Sequence, residues 1–284
     1  MKKDYQPVRY KTPLRYPGGK SRAIKFLHKY LPSVIQSYTE PFLGGGSMAL
    51  YITQTYPNAL ITVNDSYKPL WCFWTQLQKC GKELMHELID IKKNTWDSVD
   101  DQKSLFKDCK KILQTSTDDY ELAKAFYIVN KCSFSGLSES SSFSRQAYEG
   151  NFTLNNIKKL TIYQDIIQLW NITNLDYAFY MQPDYEQDFI FLDPPYDIKS
   201  FLYGKDGSQH KGFDHDEFKN HIDNLDRWQA NFMVTYNSNP HTIELYKTYH
   251  CLSWDLKYTF RSTGTYMQDQ KERKELLIYN YEPN

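Results

Sequence analysis

The chain has 284 residues, 34 basic and 34 acidic side chains, zero formal net charge and 40% hydrophobic residues. That length suits one large domain or a domain carrying a substantial insertion, and the neutral balance gives no global signature of a nucleic-acid binder. No apolar run approaches the roughly 20 residues of a membrane helix, and MKKDYQPVRYK lacks the apolar core of an export signal, so a cytoplasmic protein without a membrane partner is expected.

In chain order, a basic stretch comes first. Nine Lys or Arg residues and one acid, Asp4, lie between Met1 and Tyr30. Such a cluster either contacts phosphates or forms a solvated face. RYPGGKS then reads as a turn before the helix SRAIKFLHKYL. SYTEPFLGGG is a strand followed by a glycine loop, and SMALYITQTY a helix with Met48, Tyr51 and Ile52 near helical spacing. ALITVND is a second strand ending in Asp65, and YKPLWCFWTQLQK an apolar helix. Further on, KLTIYQD reads as a strand ending in Asp165, and FIFLDPPY as a buried strand ending in Asp193. DHDEFKNHIDNL is an amphipathic helix with Phe218, Ile222 and Leu225 on one face. NFMVTYNS is a strand, HTIELYKTY a helix, and WDLKYTF with ELLIYNY a closing pair of strands. Strands alternating with helices predict an α/β fold, a mostly parallel Rossmann-like sheet covered on both faces. Ligands of such a sheet sit at the carboxyl ends of its strands, where Asp65, Asp165 and Asp193 fall.

The segment 81–156 breaks this rhythm. It is helical and polar first, then runs into the serine-rich loop SFSGLSESSSFSRQAYEGNF. A loop of that length in a compact domain is usually functional or disordered. Its rings, Phe134, Phe143, Tyr148 and Phe152, argue against plain disorder. The expected organisation is one domain formed by 1–80 and 157–284, with an inserted, mainly helical domain over 81–156. The five cysteines, scattered and without a C-x-x-C pair, read as reduced buried thiols, and no metal site is expected.

Four motifs carry chemistry. In PFLGGGS the glycines let backbone approach a ligand ahead of a helix, although a tight turn explains them too, and the spacing is not G-x-G-x-x-G. Asp65 either caps the next helix or accepts hydrogen bonds from ribose hydroxyls, and the preceding glycine loop favours ribose. RYPGGKS fails as a P-loop because Leu14 stands where glycine is required, but Tyr16 or Lys20 can still reach a ligand. Asp193-Pro194-Pro195-Tyr196 is the sharpest. Two prolines fix the backbone and remove two donors. A carboxylate and a carbonyl can then accept both hydrogens of an amino group, while the tyrosine offers a stacking face.

Together, and in this order, RYPGGK, EPFLGGGS, the acid Asp65, a long insertion and D-P-P-Y resemble the Dam-type DNA adenine N6-methyltransferases, the alpha group of amino-methyltransferases. NKCSFSGLSE, IYQD at Asp165, VTYNSN and ELLIYNY extend the resemblance over nearly the whole chain. It implies S-adenosylmethionine as methyl donor, without a metal, and adenine in double-stranded DNA as acceptor. It assigns Tyr16, Lys20, Glu40, Phe42, Gly44, Gly46, Asp65, Asp165 and Asp193 to the cofactor. Asp193, Pro194 and Tyr196 form its catalytic motif. The insertion corresponds to the target-recognition domain, with Arg15, Phe134, Leu137, Glu139 and Arg145 facing DNA. Phe134 stands where the family carries a ring that wedges into the duplex, a core contact being the other reading. Members that read GATC carry Leu-x-Arg where this chain has Leu137-Ser138-Glu139. A glutamate cannot donate to guanine; it accepts from a cytosine amino group instead, and Arg145 is a candidate replacement donor. Adenine methylation is therefore implied, but GATC is not. An RNA or cytosine amino-methyltransferase and a catalytically inactive DNA-binding relative are the competing readings. With no coiled coil in the sequence, a monomer is the default.

Overall fold

A computed structural model describes residues 5–16, 18–134, 141–182, 188–196, 213–255 and 274–283. Among them, seven strands form one sheet: β1 (Ser37–Glu40), β2 (Leu60–Asn64), β3 (Asn171–Thr173), β4 (Phe189–Leu192), β5 (Asn231–Asn237), β6 (His250–Asp255) and β7 (Lys274–Tyr279). The order across the sheet is β3-β2-β1-β4-β5-β7-β6. β7 runs antiparallel to both β5 and β6, and the other neighbouring pairs are parallel. The helices are α1 (Ile24–Leu27), α2 (Ser47–Thr55), α3 (Lys68–Asn94), α4 (Val99–Thr115), α5 (Asp119–Cys132), α6 (Arg145–Asn151), α7 (Leu154–Lys158), α8 (Leu160–Ile166), α9 (His215–Arg227) and α10 (Pro240–Leu245). This is the expected α/β, Rossmann-like sheet with helices on both faces.

The central strand FIFL is apolar at every position because both its faces are covered. Its side chains alternate. Phe189 and Phe191 join one core with Met233, Leu277 and the residues of α2, α3 and α5. Ile190 and Leu192 join the other with Phe232, Val234, and Phe218, Ile222 and Leu225 of α9. The strand order reverses between β1 and β4, so the crevice at their carboxyl ends is where a doubly wound sheet takes its ligand.

One predicted strand is a helix. KLTIYQD forms α8, because Leu160, Tyr163 and Ile167 recur at helical spacing and are all buried. The third strand lies further on, at Asn171–Thr173. Gln78 of α3 fixes the exit of α8 by donating through Nε2 to the carbonyls of Ile167 and Trp170, at 2.8 Å each.

The helix α3 is continuous past residue 80 by hydrogen bonding, but Cys80 is non-helical (φ −141°, ψ 41°) and kinks it there. Gly81 is buried against α8, with the position of a Cβ only 3.0 Å from Gln164. Beyond the kink, Leu84 and Leu88 continue into the same apolar cluster as Phe73 and Trp74. Phe126 and Tyr127 of α5 lie against Phe73, at 6.1 and 5.6 Å between ring centroids. No helix among the described residues is long and apolar enough to cross a membrane.

Candidate active site

Three loops converge at the carboxyl ends of β1, β2 and β4. The loop after β1 needs its glycines. Gly44 and Gly46 have φ of 49° and 64°, in the left-handed region. A Cβ on Gly46 would come within 2.7 Å of the Trp74 ring, and one on Gly45 within 2.8 Å of Tyr16. Trp74 Nε1 donates to the Gly44 carbonyl at 3.2 Å. Tyr16 therefore lies across the glycine loop as a lid, with one ring edge over Gly44.

Asp65 holds this loop from the next strand. Its Oδ2 accepts from Gly44 N at 2.8 Å and its Oδ1 from Tyr67 N at 2.9 Å. The residue flanking α3 at its start is Tyr67, so Asp65 is not that helix's N-cap. Burial pushes its carboxyl up to about 6, against the lowering effect of the two backbone donors. Each oxygen keeps a lone pair for a further donor. Beside it, Asn64 is buried and ties three strand ends together. Its Nδ2 donates to the carbonyls of Pro41 (3.1 Å) and Leu175 (3.0 Å), and its Oδ1 accepts from Leu175 N (2.7 Å).

The turn at Gly18 (φ 74°) and Gly19 aims Lys20 inward. Lys20 is 3% exposed. Its Nζ lies 2.8 Å from both carboxylate oxygens of Asp193 and donates to the Gly18 carbonyl at 2.8 Å. Thr235 of β5 donates to Asp193 Oδ1 at 2.8 Å. A buried ion pair needs such extra hydrogen bonds to offset desolvation. Glu40, at the end of β1, is buried, and burial holds its carboxyl well above the usual carboxylate range; Asp193 pushes the same way, while the hydrogen bond from Tyr38 (2.7 Å) opposes it.

Tyr196 is held on several sides. Its hydroxyl donates to Glu275 Oε2 at 2.5 Å. Its ring stacks on Tyr236 at 5.7 Å and 22°, and Lys20 Nζ lies 4.9 Å from its centroid. Tyr236 in turn bonds His215 through its hydroxyl and lines a cleft of about 310 Å³ with Phe213, Asp214, His215 and His241. The ring stack is thus continuous with a concave surface.

The structure brings together Tyr16, Lys20, Glu40, Gly44, Gly46, Asp65, Asp193, Pro194 and Tyr196 at one sheet edge. Phe42 turns away from the glycine loop and packs on Tyr177, Phe213 and Phe218. Asp165 is a correction: it is exposed on α8 and ends no strand. At the end of the real third strand, Asn174 Nδ2 donates to the Asp65 carbonyl at 2.7 Å and Asp176 caps the turn Tyr177–Met181. Arg15 forms a two-way backbone bond with Asn130 of α5, and its Nη1 donates to the Ser133 carbonyl at 3.0 Å. Phe134 is 49% exposed and stands outside the core, against its core-contact reading. Arg145 is exposed at the start of α6 and pairs with Glu149 at 2.8 Å. Leu137 and Glu139 lie outside the described residues.

Sequence reasoning missed Thr235, Tyr236 and Glu275. Thr235 did leave a signal: a hydroxyl inside the apolar run FMVTY of a covered strand requires a partner.

These features match a known pattern. Residues 16–260 fit the family model of the D12 class N6 adenine-specific DNA methyltransferases. The chain belongs to this family. The methyltransferase is 22% identical over 280 residues to the Type II methyltransferase M.CviBI of Paramecium bursaria Chlorella virus NC1A, covering 94% of this chain and 98% of that protein. It is 21% identical to the Type II methyltransferase M1.LlaDCHI of Lactococcus lactis subsp. cremoris, covering 94% of each. It is 25% identical to the DNA N-6-adenine-methyltransferase of Escherichia phage P1, covering 82% of this chain and 30% of that protein. The seven-stranded sheet is that of an enzyme of this family, and its reaction class is adenine-specific DNA methylation.

Proposed function

We propose that the enzyme transfers a methyl group from S-adenosylmethionine to the exocyclic amino group of an adenine flipped out of duplex DNA within one short sequence, as a modification enzyme of the Type II kind. The observation that carries this reading is Asp193 at the switch-point end of β4, held by Lys20 and Thr235 beside the Tyr196 ring.

The residues present fit the cofactor. The Gly44–Gly46 backbone runs close under the Tyr16 and Trp74 rings, which take the space a Cβ would fill and fix the course of the loop. Asp65 has spare acceptor capacity for ribose hydroxyls. Glu40 and the glycine loop would hold the amino-acid end, and Lys20 lies at the junction with Asp193. Bound there, S-adenosylmethionine supplies a methyl group on a sulfonium.

The chain's own residues do the rest. A target base inside a duplex is out of reach, so it must be extruded, which costs a few kcal/mol. Tyr196 gives it a stacking face. The amino nitrogen is a poor nucleophile because its lone pair is conjugated into the ring. Asp193 Oδ and the Pro194 carbonyl accept its two N–H bonds, favour a pyramidal nitrogen and turn the lone pair outward. Lys20 and Thr235 hold the Asp193 carboxylate in place through hydrogen bonds to its two oxygens. Orientation and preorganised acceptors account for the rate. The insertion 81–156 reads the sequence, with Phe134 exposed at the neck of the loop and Arg15 anchored to it.

The deciding experiment incubates the protein and labelled S-adenosylmethionine with unmethylated genomic DNA and maps modified adenines by single-molecule sequencing. Methyl adenine at one short motif is expected. Asp193→Ala should reduce turnover by at least about a thousandfold, because it removes the charged acceptor. A near-normal rate in that variant sinks the assignment. Methylation of RNA or of cytosine, with duplex adenine untouched, replaces it by another amino-methyltransferase reading.

A further inference from the structure

Glu275 opens the segment ELLIYNY and lies outside the four motifs that carry chemistry, yet it touches the catalytic one. It is the second residue of β7, and the register sets it opposite Asn237 of β5 and Trp254 of β6. Because β7 runs against β5, its first residues stand at the carboxyl edge of the parallel strands, beside Asp193. Glu275 is 3% exposed in a strand whose next four residues are buried, three of them aliphatic and one a tyrosine. A carboxylate in such a place needs a strong hydrogen-bond partner, and the Tyr196 hydroxyl supplies one at 2.5 Å.

We propose that Glu275 is a positioning residue for methyl transfer, setting the angle of the Tyr196 ring on which the target base stacks. The inference rests on the role given to Tyr196 under Proposed function. Two torsions orient a tyrosine ring. Its hydroxyl lies on the axis of ring rotation, so a bond to that oxygen fixes the swing of the side chain and leaves the twist free. Stacking on Tyr236, at 22° between ring planes, fixes the twist. Pro194 and Pro195 fix the backbone beneath. Glu275 thus supplies a restraint that neither the prolines nor the stacking provides.

The test compares single-turnover rates at saturating DNA and cofactor for Glu275→Leu, Glu275→Gln, Tyr196→Phe and the double variant Tyr196→Phe/Glu275→Leu. Losing a charge-assisted bond made to a base-stacking group should slow transfer by about ten- to a hundredfold in Glu275→Leu, with the cofactor KM within about twofold. Glu275→Gln, whose amide oxygen still accepts, should recover to within about threefold of the wild type. Tyr196→Phe should lose as much as Glu275→Leu, and the double variant no more than either single. The fluorescence of 2-aminopurine placed at the target adenine should change on binding by a different amount in Glu275→Leu, a signal that general destabilisation does not move. A wild-type rate in Glu275→Leu, losses that multiply in the double variant, or equal failure of Gln and Leu overturns the proposal. If Glu275→Leu does not fold, Tyr196→Phe decides alone, since a wild-type rate there removes the bond's role. A wild type that methylates no adenine in DNA overturns the reading of Tyr196, and the inference with it.

Discussion

Asp65 shows how one side chain can serve structure and ligand at once. It bonds two backbone amides, and burial pushes its carboxyl up to about 6 from an ordinary 3.8. In the ligand-free protein the folded state holds this proton more tightly than the unfolded chain does. Its stabilisation is therefore complete below about pH 3.8 and lost as pH rises through about 6. A ribose binds the other way, because its hydroxyls donate to the ionised form. Cofactor affinity, measured by calorimetry from pH 5 to 8, should be flat above about pH 6 and fall by up to about tenfold per unit below it. Asp65→Asn should bind more weakly throughout and lose the pH dependence. A wild-type profile without a bend near pH 6 rules out Asp65 as the ribose acceptor. Asp65 and Asp193 were legible in the sequence because each ends an apolar run, where only a sheet edge can hold an acid. Glu275 was not. Its meaning comes from Tyr196, 79 positions away, and from a pairing that only the folded sheet displays.

At the scale of elements, periodicity succeeded where one face of an element is solvent-exposed and failed where too few positions decide. For α9, Phe218, Ile222 and Leu225 mark a single buried face. In KLTIYQD, Leu160, Ile162 and Tyr163 satisfy either period over seven residues, and only Ile167, beyond the segment, tips the balance to a helix. The strand beside it is three residues long and partly exposed, so it left almost no hydrophobic signal. Glycine positions were more informative, and two of them predict opposite outcomes. Gly46→Ala forces a left-handed φ of 64° onto a Cβ that would lie 2.7 Å from Trp74. It should destabilise the protein by about 2–4 kcal/mol and perturb the glycine loop. Gly150, inside α6, has nothing within 4 Å of an added Cβ. Gly150→Ala should stabilise by about 0.5–1 kcal/mol through helix propensity alone. Urea titrations of the two variants check both signs.

At the scale of the whole molecule, the alternation of strand and helix gave the mostly parallel α/β sheet but put a strand where α8 lies, and most of the strand expected at WDLKYTF falls outside the described residues, β6 being His250–Asp255. What the sequence could not display is how tightly residues 81–156 are joined to the sheet and its helices. Two of its helices carry their apolar faces into the core that the sheet begins. Phe126 and Tyr127 lie on Phe73, and Leu84 and Leu88 share the cluster of Trp74. Polar links add to this. The Asn130 amide bonds the Arg15 backbone in both directions, at 3.0 and 2.7 Å, and is completely buried. Lys131, its ammonium pushed down to about 8 by burial, donates to the Pro13 carbonyl. A segment that owes its core to residues outside itself cannot unfold alone without exposing theirs. Unfolding should therefore be one transition, with calorimetric and van't Hoff enthalpies in agreement and tryptophan fluorescence coinciding with far-ultraviolet circular dichroism. Residues 81–156 expressed alone should lack cooperative structure. Two separated transitions, or a folded fragment, would mean that recognition and catalysis reside in independent units, and the grip of Asn130 on Arg15 would then be an incidental contact between them.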